Sequence, residues 1–156
     1  MKLNRKGFTL VEVLAVIVII ALLGGIAIPN ILSTINTSKN VSEKSMIENI
    51  KTASQQLYEE VEFTGDIYQY QENGTITTTQ ITINGNSIET NLQTLVSNGF
   101  LSGTGEEEKK IIRNPKTGKN IGACKIKITK TVNSSTYETT YKVERSVPNS
   151  DCPDYN

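Results

Sequence analysis

The feature that most constrains this chain is a run of 21 residues, Phe8 to Ile28, that contains no Lys, Arg or Asp and one charge, Glu12. Coiled as an α-helix at 1.5 Å per residue, the run spans about 30 Å, the thickness of a bilayer's hydrocarbon core. Lys2, Arg5 and Lys6 stand just before it. The positive-inside rule therefore puts residues 1–7 in the cytoplasm and the C-terminal part outside. Near the outer end, Gly24, Gly25 and Pro29 are expected to interrupt the helix. Pro29 has no N–H to give the carbonyl of Gly25, and its ring crowds that carbonyl. Small residues at such positions also let neighbouring membrane helices approach closely.

A plain membrane anchor, a secretory signal peptide and a more specialised segment all begin this way. Gly25-Ile26-Ala27 supplies the small residues that a signal peptidase requires, but the apolar run exceeds the usual 7–15-residue core of a signal peptide. Glu12 separates the readings further. A carboxylate inside a membrane helix costs on the order of 2.5–3.5 kcal/mol on insertion scales, so one retained there calls for a partner. Neither a simple anchor nor a signal peptide supplies one.

Gly7-Phe8-Thr9-Leu10-Val11-Glu12, behind a short basic leader and ahead of the apolar run, resembles the prepilin cleavage motif of type IV pilins and the related pseudopilins. The resemblance is specific over Met1–Pro29 and architectural beyond it. It implies that a membrane-embedded prepilin peptidase cuts between Gly7 and Phe8 and methylates the new amine of Phe8. It also implies that Glu12 meets the Phe8 ammonium of a neighbouring copy, because a hydrogen-bonded pair offsets much of the cost of burying either charge alone. The resemblance further implies that the helix unwinds around Gly24, Gly25 and Pro29 as subunits pack into a filament. The partners so implied are copies of the chain itself in a helical filament, the peptidase, the inner-membrane pilus assembly machinery and minor pilins.

Beyond Pro29 the sequence turns polar, and then Met46, Ile50, Ala53, Leu57 and Val61 recur at steps of four and three, one face of an α-helix. One helix is therefore expected from Phe8 to about Glu60. Its organisation reads as a leader over 1–7, a transmembrane and assembly half over 8–29, an amphipathic half over 30–60 and a β-sheet head over 61–156. A pure anchor has no use for the amphipathic continuation.

The head carries weaker signals. Thr75–Ile83 is rich in Thr and Ile and ends at Asn84-Gly85, a strand followed by a tight turn. Thr90–Ser97 reads as a short helix stopped by Asn98-Gly99, with Phe100 and Leu101 as an apolar staple. Phe63–Gly74 and Gly103–Lys119 read as loops, with Glu106–Glu108 in a solvated turn rather than a metal site. Ile126, Ile128 and Val132 alternate with polar residues, as do Tyr137, Tyr141 and Val143. Joining them through Asn133–Thr136 would pair Val132 with Tyr137, Ile128 with Tyr141 and Ile126 with Val143. It would also set Lys127 opposite Lys142, an unfavourable contact. The expected class is α+β, an antiparallel sheet packed on the amphipathic face of the helix.

Cys124 opens this hairpin and Cys152 follows it. A chain whose head lies outside the membrane favours a disulfide, and the pilin resemblance implies one that ties the C-terminal segment to the sheet.

Composition narrows the function classes. The chain contains no histidine, and 16 Lys and Arg balance 16 Asp and Glu, so no basic field speaks for nucleic acid. Removing residues 1–7 leaves the remainder net acidic by three. No phosphate-binding glycine loop, metal-ligand cluster or nucleophile motif stands in the sequence, so neither an enzyme nor a cofactor is expected. Asn-x-Ser/Thr triplets at Asn36, Asn40, Asn73 and Asn133 are what an Asn- and Thr-rich chain produces by chance. The C-terminal residues Asp151–Asn156 carry no sorting signal of the LPxTG kind. The Ile-, Asn-, Lys- and Thr-heavy composition fits an AT-rich, Gram-positive bacterium. The resemblance thus implies a structural subunit of a surface filament serving adhesion, twitching or aggregation, held in the cytoplasmic membrane before assembly. The alternative is a pseudopilin of a secretion or DNA-uptake machine.

Overall fold

The computed structural model describes residues 8–70, 76–105, 110–148 and 151–155, and of residues 26–30, 66–70 and 76–79 the backbone. Its elements are α1 (Leu10–Phe63), β1 (Asp66–Tyr70), β2 (Ile76–Gln80), β3 (Ser87–Asn91), α2 (Leu92–Ser97), β4 (Lys125–Val132) and β5 (Thr139–Arg145). The chain divides into two units, residues 1–39 and 40–156, and α1 supplies part of each.

In the first unit α1 is helical through Gly24, Gly25 and Pro29. The interruption expected from these residues is absent. Proline removes one ladder hydrogen bond, and in a long helix the bonds on either side carry the chain across.

In the second unit the amphipathic face is as the sequence indicates. Ile50, Ala53, Leu57 and Val61 are buried, and Met46 packs partly buried beside them. Ser54 and Tyr58, four residues apart, are buried too, which widens the stripe beyond the row that hydrophobicity marks. Gly65, at φ 74°, closes the helix in the left-handed conformation, and its amide donates back to the Val61 carbonyl at 3.1 Å.

Two antiparallel sheets follow. β1 pairs with β2, Asp66 opposite Gln80 and Tyr70 opposite Ile76. The loop expected over Phe63–Gly74 thus holds a strand in its described part. Residues 71–75 lie outside the described residues. β3, β4 and β5 form a three-stranded sheet with β4 central. β3 replaces the first residues of the helix expected from Thr90. Asn91 ends β3 and caps α2, its side-chain oxygen accepting from the Thr94 amide at 2.9 Å. Asn98 and Gly99 close α2 as expected, and Leu101 is buried behind them.

The hairpin forms with its register shifted by two residues from the expected one. Ile126 faces Arg145, Lys127 faces Glu144, Ile128 faces Val143 and Val132 faces Thr139. The shift preserves which side chains point inward, because the strand period is two. Ile126, Ile128 and Val143 stay buried. The turn decides the register. Asn133 Oδ1 accepts from the amides of Ser135 and Thr136 at 2.8 and 3.3 Å, and Tyr137 sits at φ 57°, exposed and outside the ladder. Val132 is exposed with it, and the unfavourable Lys127–Lys142 pairing gives way to Lys127 opposite Glu144.

The core of this unit joins Ile50, Leu57, Leu92, Leu95, Ile126 and Ile128. At its margin Lys130 Nζ donates to both carboxylate oxygens of Glu62, at 2.8 and 2.7 Å, and lies 5.8 Å from the centre of the Tyr58 ring. Tyr58 meets Tyr141 edge to face at 5.5 Å. The Glu62 hydrogen bond holds the Lys130 pKa above its ordinary value, while burial does the same for Tyr58 and Tyr141.

Among the described residues the 99–124 segment forms no strand, only the isolated bridges of Thr104 with Ile111 and Arg113 with Asn120. Ile112 and Ile121 are buried, and Asn114 is a buried polar hub. Its Oδ1 accepts from the amides of Lys116 and Thr117, and its Nδ2 donates to Glu43 at 3.2 Å. Glu106–Glu108 lie outside the described residues. Cys124 and Cys152 form the expected disulfide. Around it Lys119 pairs with Asp151 at 2.7 Å, Arg145 with Asp154 at 3.5 Å, and Tyr155 is buried.

Candidate functional site

The unusual chemistry lies at the start of α1. Phe8 precedes the helix and is 80% exposed. Thr9 stands at the N-cap position, its Oγ1 accepting from the Glu12 amide at 3.3 Å while its carbonyl accepts from the amides of Glu12 and Val13. Thr9 and Glu12 thus have the spacing of a capping box. This role was missed from the sequence, although Thr-x-x-Glu ahead of an apolar run is its usual signal. Capping ends the helix at Leu10 and leaves Phe8 outside it. Gly7, on the other side of the expected cut, lies outside the described residues, as do Lys2, Arg5 and Lys6.

Glu12 in the first turn is favoured by the helix dipole, a contribution of about 0.3–1 kcal/mol. That is smaller than the cost on the order of 2.5–3.5 kcal/mol of placing a carboxylate in hydrocarbon. Local capping therefore explains why a glutamate is acceptable here and does not offset its burial. Its carboxylate has no partner among the described residues.

From Val13 to Leu23 the helix is apolar on every side, and its large side chains are all about half exposed or more. A helix that is apolar all round is a buried one, in a protein core or in a membrane span. Gly24 and Gly25 add to this. A Cβ at either would meet nothing within 4 Å, so no contact within the chain requires glycine there. Pro29 is helical, and its side chain is outside the described set. Among the described residues no helix is long and apolar enough to cross a membrane. The described side chains of the run end at Gly25, about 22 Å from Leu10 at 1.5 Å per residue.

The second unit offers no comparable chemistry. A groove of about 860 Å³ runs beside α1 between Val41 and Gln56, walled by Phe100, Ile111 and Pro115, and among the described residues Arg113 is the only charged one lining it. Among the described residues no three metal-ligating side chains gather.

Residues 2–28 match the prokaryotic N-terminal methylation motif, so the chain carries the signal of type IV prepilins and pseudopilins. That signal entails processing by a prepilin peptidase and assembly into pilus-like filaments. No curated protein and no solved structure matches the chain.

Proposed function

We propose that this chain is the structural subunit of a type IV pilus, made as a membrane-held precursor, cut between Gly7 and Phe8, methylated on Phe8 and assembled through α1. The observation that carries the reading is the pairing of the methylation motif with an all-round apolar helix that its own chain leaves uncovered. The helix crosses the cytoplasmic membrane before assembly, N-terminus inside, and afterwards lies among copies of itself in an extracellular filament. Hydrocarbon and neighbouring helices are both apolar, so transfer between them costs little and packing decides the outcome.

Cleavage creates an ammonium on Phe8 beside an apolar environment. The Glu12 carboxylate of an adjacent copy neutralises it, and the pair sets the axial register of one subunit on the next. Two buried charges are each costly alone and much less so together. Gly24, Gly25 and Pro29 are where the helix, continuous in the single chain, gives way under packing in the filament. Glycine has the lowest helix propensity after proline, so this stretch is the weakest in α1. The fibre serves adhesion, twitching or aggregation, and its partners are the pilus assembly machinery of the membrane and minor pilins.

The disulfide-tied tail supports a fibre exposed to an oxidising exterior over the alternative, a pseudopilin piston for secretion or DNA uptake. Electron microscopy of cells labelled with an antibody to the 40–156 unit tests this choice. Long labelled fibres are the expected result. Label confined to the cell envelope, with no fibres, would assign the chain to a pseudopilin apparatus.

A further inference from the structure

The head holds two described Asn-Gly pairs with the same local sequence chemistry and opposite surroundings. Asn98-Gly99 is clamped. The Asn98 side-chain amide donates to the Thr94 carbonyl at 2.7 Å, its main-chain amide donates to the same carbonyl at 3.1 Å, and the Gly99 amide donates to Val96 at 3.1 Å. Asn84-Gly85 is open. The Asn84 backbone is bridged to Ser87 in both directions, at 2.9 and 3.1 Å, but its side chain and the Gly85 amide have no hydrogen-bond partner among the described residues. Residues 84–86 are all exposed, and Gly85 sits at φ 66° with nothing near the position of a Cβ. Asn73-Gly74 lies outside the described residues.

We propose that Asn84 is a site of spontaneous modification in the folded protein, deamidating through a succinimide while Asn98 is protected by the fold. The reacting groups are adjacent in the chain. The main-chain nitrogen of Gly85 attacks Asn84 Cγ and the new N–Cγ bond forms. The Cγ–Nδ2 bond breaks, and ammonia leaves with the proton that Gly85 loses. Water then opens the imide at either of its two C–N bonds, giving aspartate or isoaspartate. The net change replaces NH by O and adds one carboxylate. At Asn98 the attacking nitrogen and the leaving amide are each held by a hydrogen bond that must break first.

The product lands on a charged neighbourhood. Asn84 lines a shallow concavity with Glu89 and Lys127, which face each other across β3 and β4. A new carboxylate there changes the charge of one exposed face of the head. An isoaspartate adds a methylene to the main chain inside the Asn84–Ser87 bridge.

Two hydrogen bonds worth about 0.5–1.5 kcal/mol each correspond to a difference in rate of roughly fivefold to a hundredfold. The test is peptide mapping by mass spectrometry with isoaspartate detection, on the full chain aged in mildly alkaline buffer, native and in denaturant. The native protein should convert Asn84 roughly tenfold faster than Asn98, and in denaturant the two should converge. Equal rates in the native protein would overturn the proposal. So would a gap that persists in denaturant, because sequence rather than fold would then be its cause.

Discussion

The two stretches of α1 carry their apolar residues in different patterns and under opposite conditions. In the 40–156 unit, Ile50, Ala53, Leu57 and Val61 form one stripe that their own chain buries. In the 1–39 unit, Val13, Ile17, Ile20 and Leu23 belong to a surface apolar on every side, and all remain half exposed or more. A one-sided stripe at helical spacing reports a core within the chain. An all-round apolar helix reports an environment that other molecules must supply. The second therefore speaks to function, and the first to stability.

Substitutions sharpen that contrast. Leu57→Ala should cost the head about 2–5 kcal/mol, because Leu57 is fully buried. Ile17→Ala should change the unfolding of the head by less than about 0.5 kcal/mol. Denaturant melts of the two variants in detergent check this, and similar losses would erase the distinction between the two stretches.

Removing the bridge by Cys152→Ser should cost roughly 3–4 kcal/mol, taking a 28-residue separation in the chain-entropy model. The tail from Val147 onward should become sensitive to protease, and resistance there unchanged by reduction would count against the tie. Glu12→Ala should leave cleavage and the head's melt unaltered while it lowers filament assembly. Losing an interaction on the order of 2.5–3.5 kcal/mol corresponds to roughly a hundredfold in an assembly equilibrium. Quantifying sheared filaments from cells measures this, and a wild-type yield would remove Glu12 from the assembly mechanism.

The smallest effect is expected at Tyr155, buried with a hydroxyl that has no partner among the described residues. Burial pushes its pKa above the ordinary value. The unfolded chain then loses this proton first, from about pH 10, so stability is fully present below that pH and falls as pH rises beyond it. Tyr155→Phe should remove that alkaline loss and add about 1 kcal/mol at neutral pH, since an unpaired buried hydroxyl is unfavourable. A pH series of thermal melts compares the two proteins. A destabilised Phe variant would mean that the hydroxyl is hydrogen-bonded.

Much of this molecule was legible in the sequence where periodicity or covalent chemistry speaks. The stem face from Met46 to Val61 and the Cys124–Cys152 pair are both present. The end of α2 at Asn98-Gly99 also followed from local chemistry. The hairpin register was not legible, because shifting a strand by two leaves its faces unchanged, and the choice fell to the Asn133 side chain and a left-handed Tyr137. β1 and β3 were missed for a related reason. β3 offers one apolar inward residue, Ile88, and its other inward position is the buried Thr90, which carries no hydrophobic signal. At the candidate site Glu12 stands out as a lone charge, while the Thr9 cap does not, because a single hydroxyl at the edge of an apolar run changes neither its charge nor its periodicity.

The central proposal is that the mature protein begins at Phe8, two residues ahead of α1. The most direct test is to recover the chain from cells and determine its N-terminus and intact mass. A start at Phe8 carrying one added methyl is the expected result. A start at Ile28, after Gly25-Ile26-Ala27, would show that a signal peptidase removed the helix, and a subunit without it has nothing to assemble through.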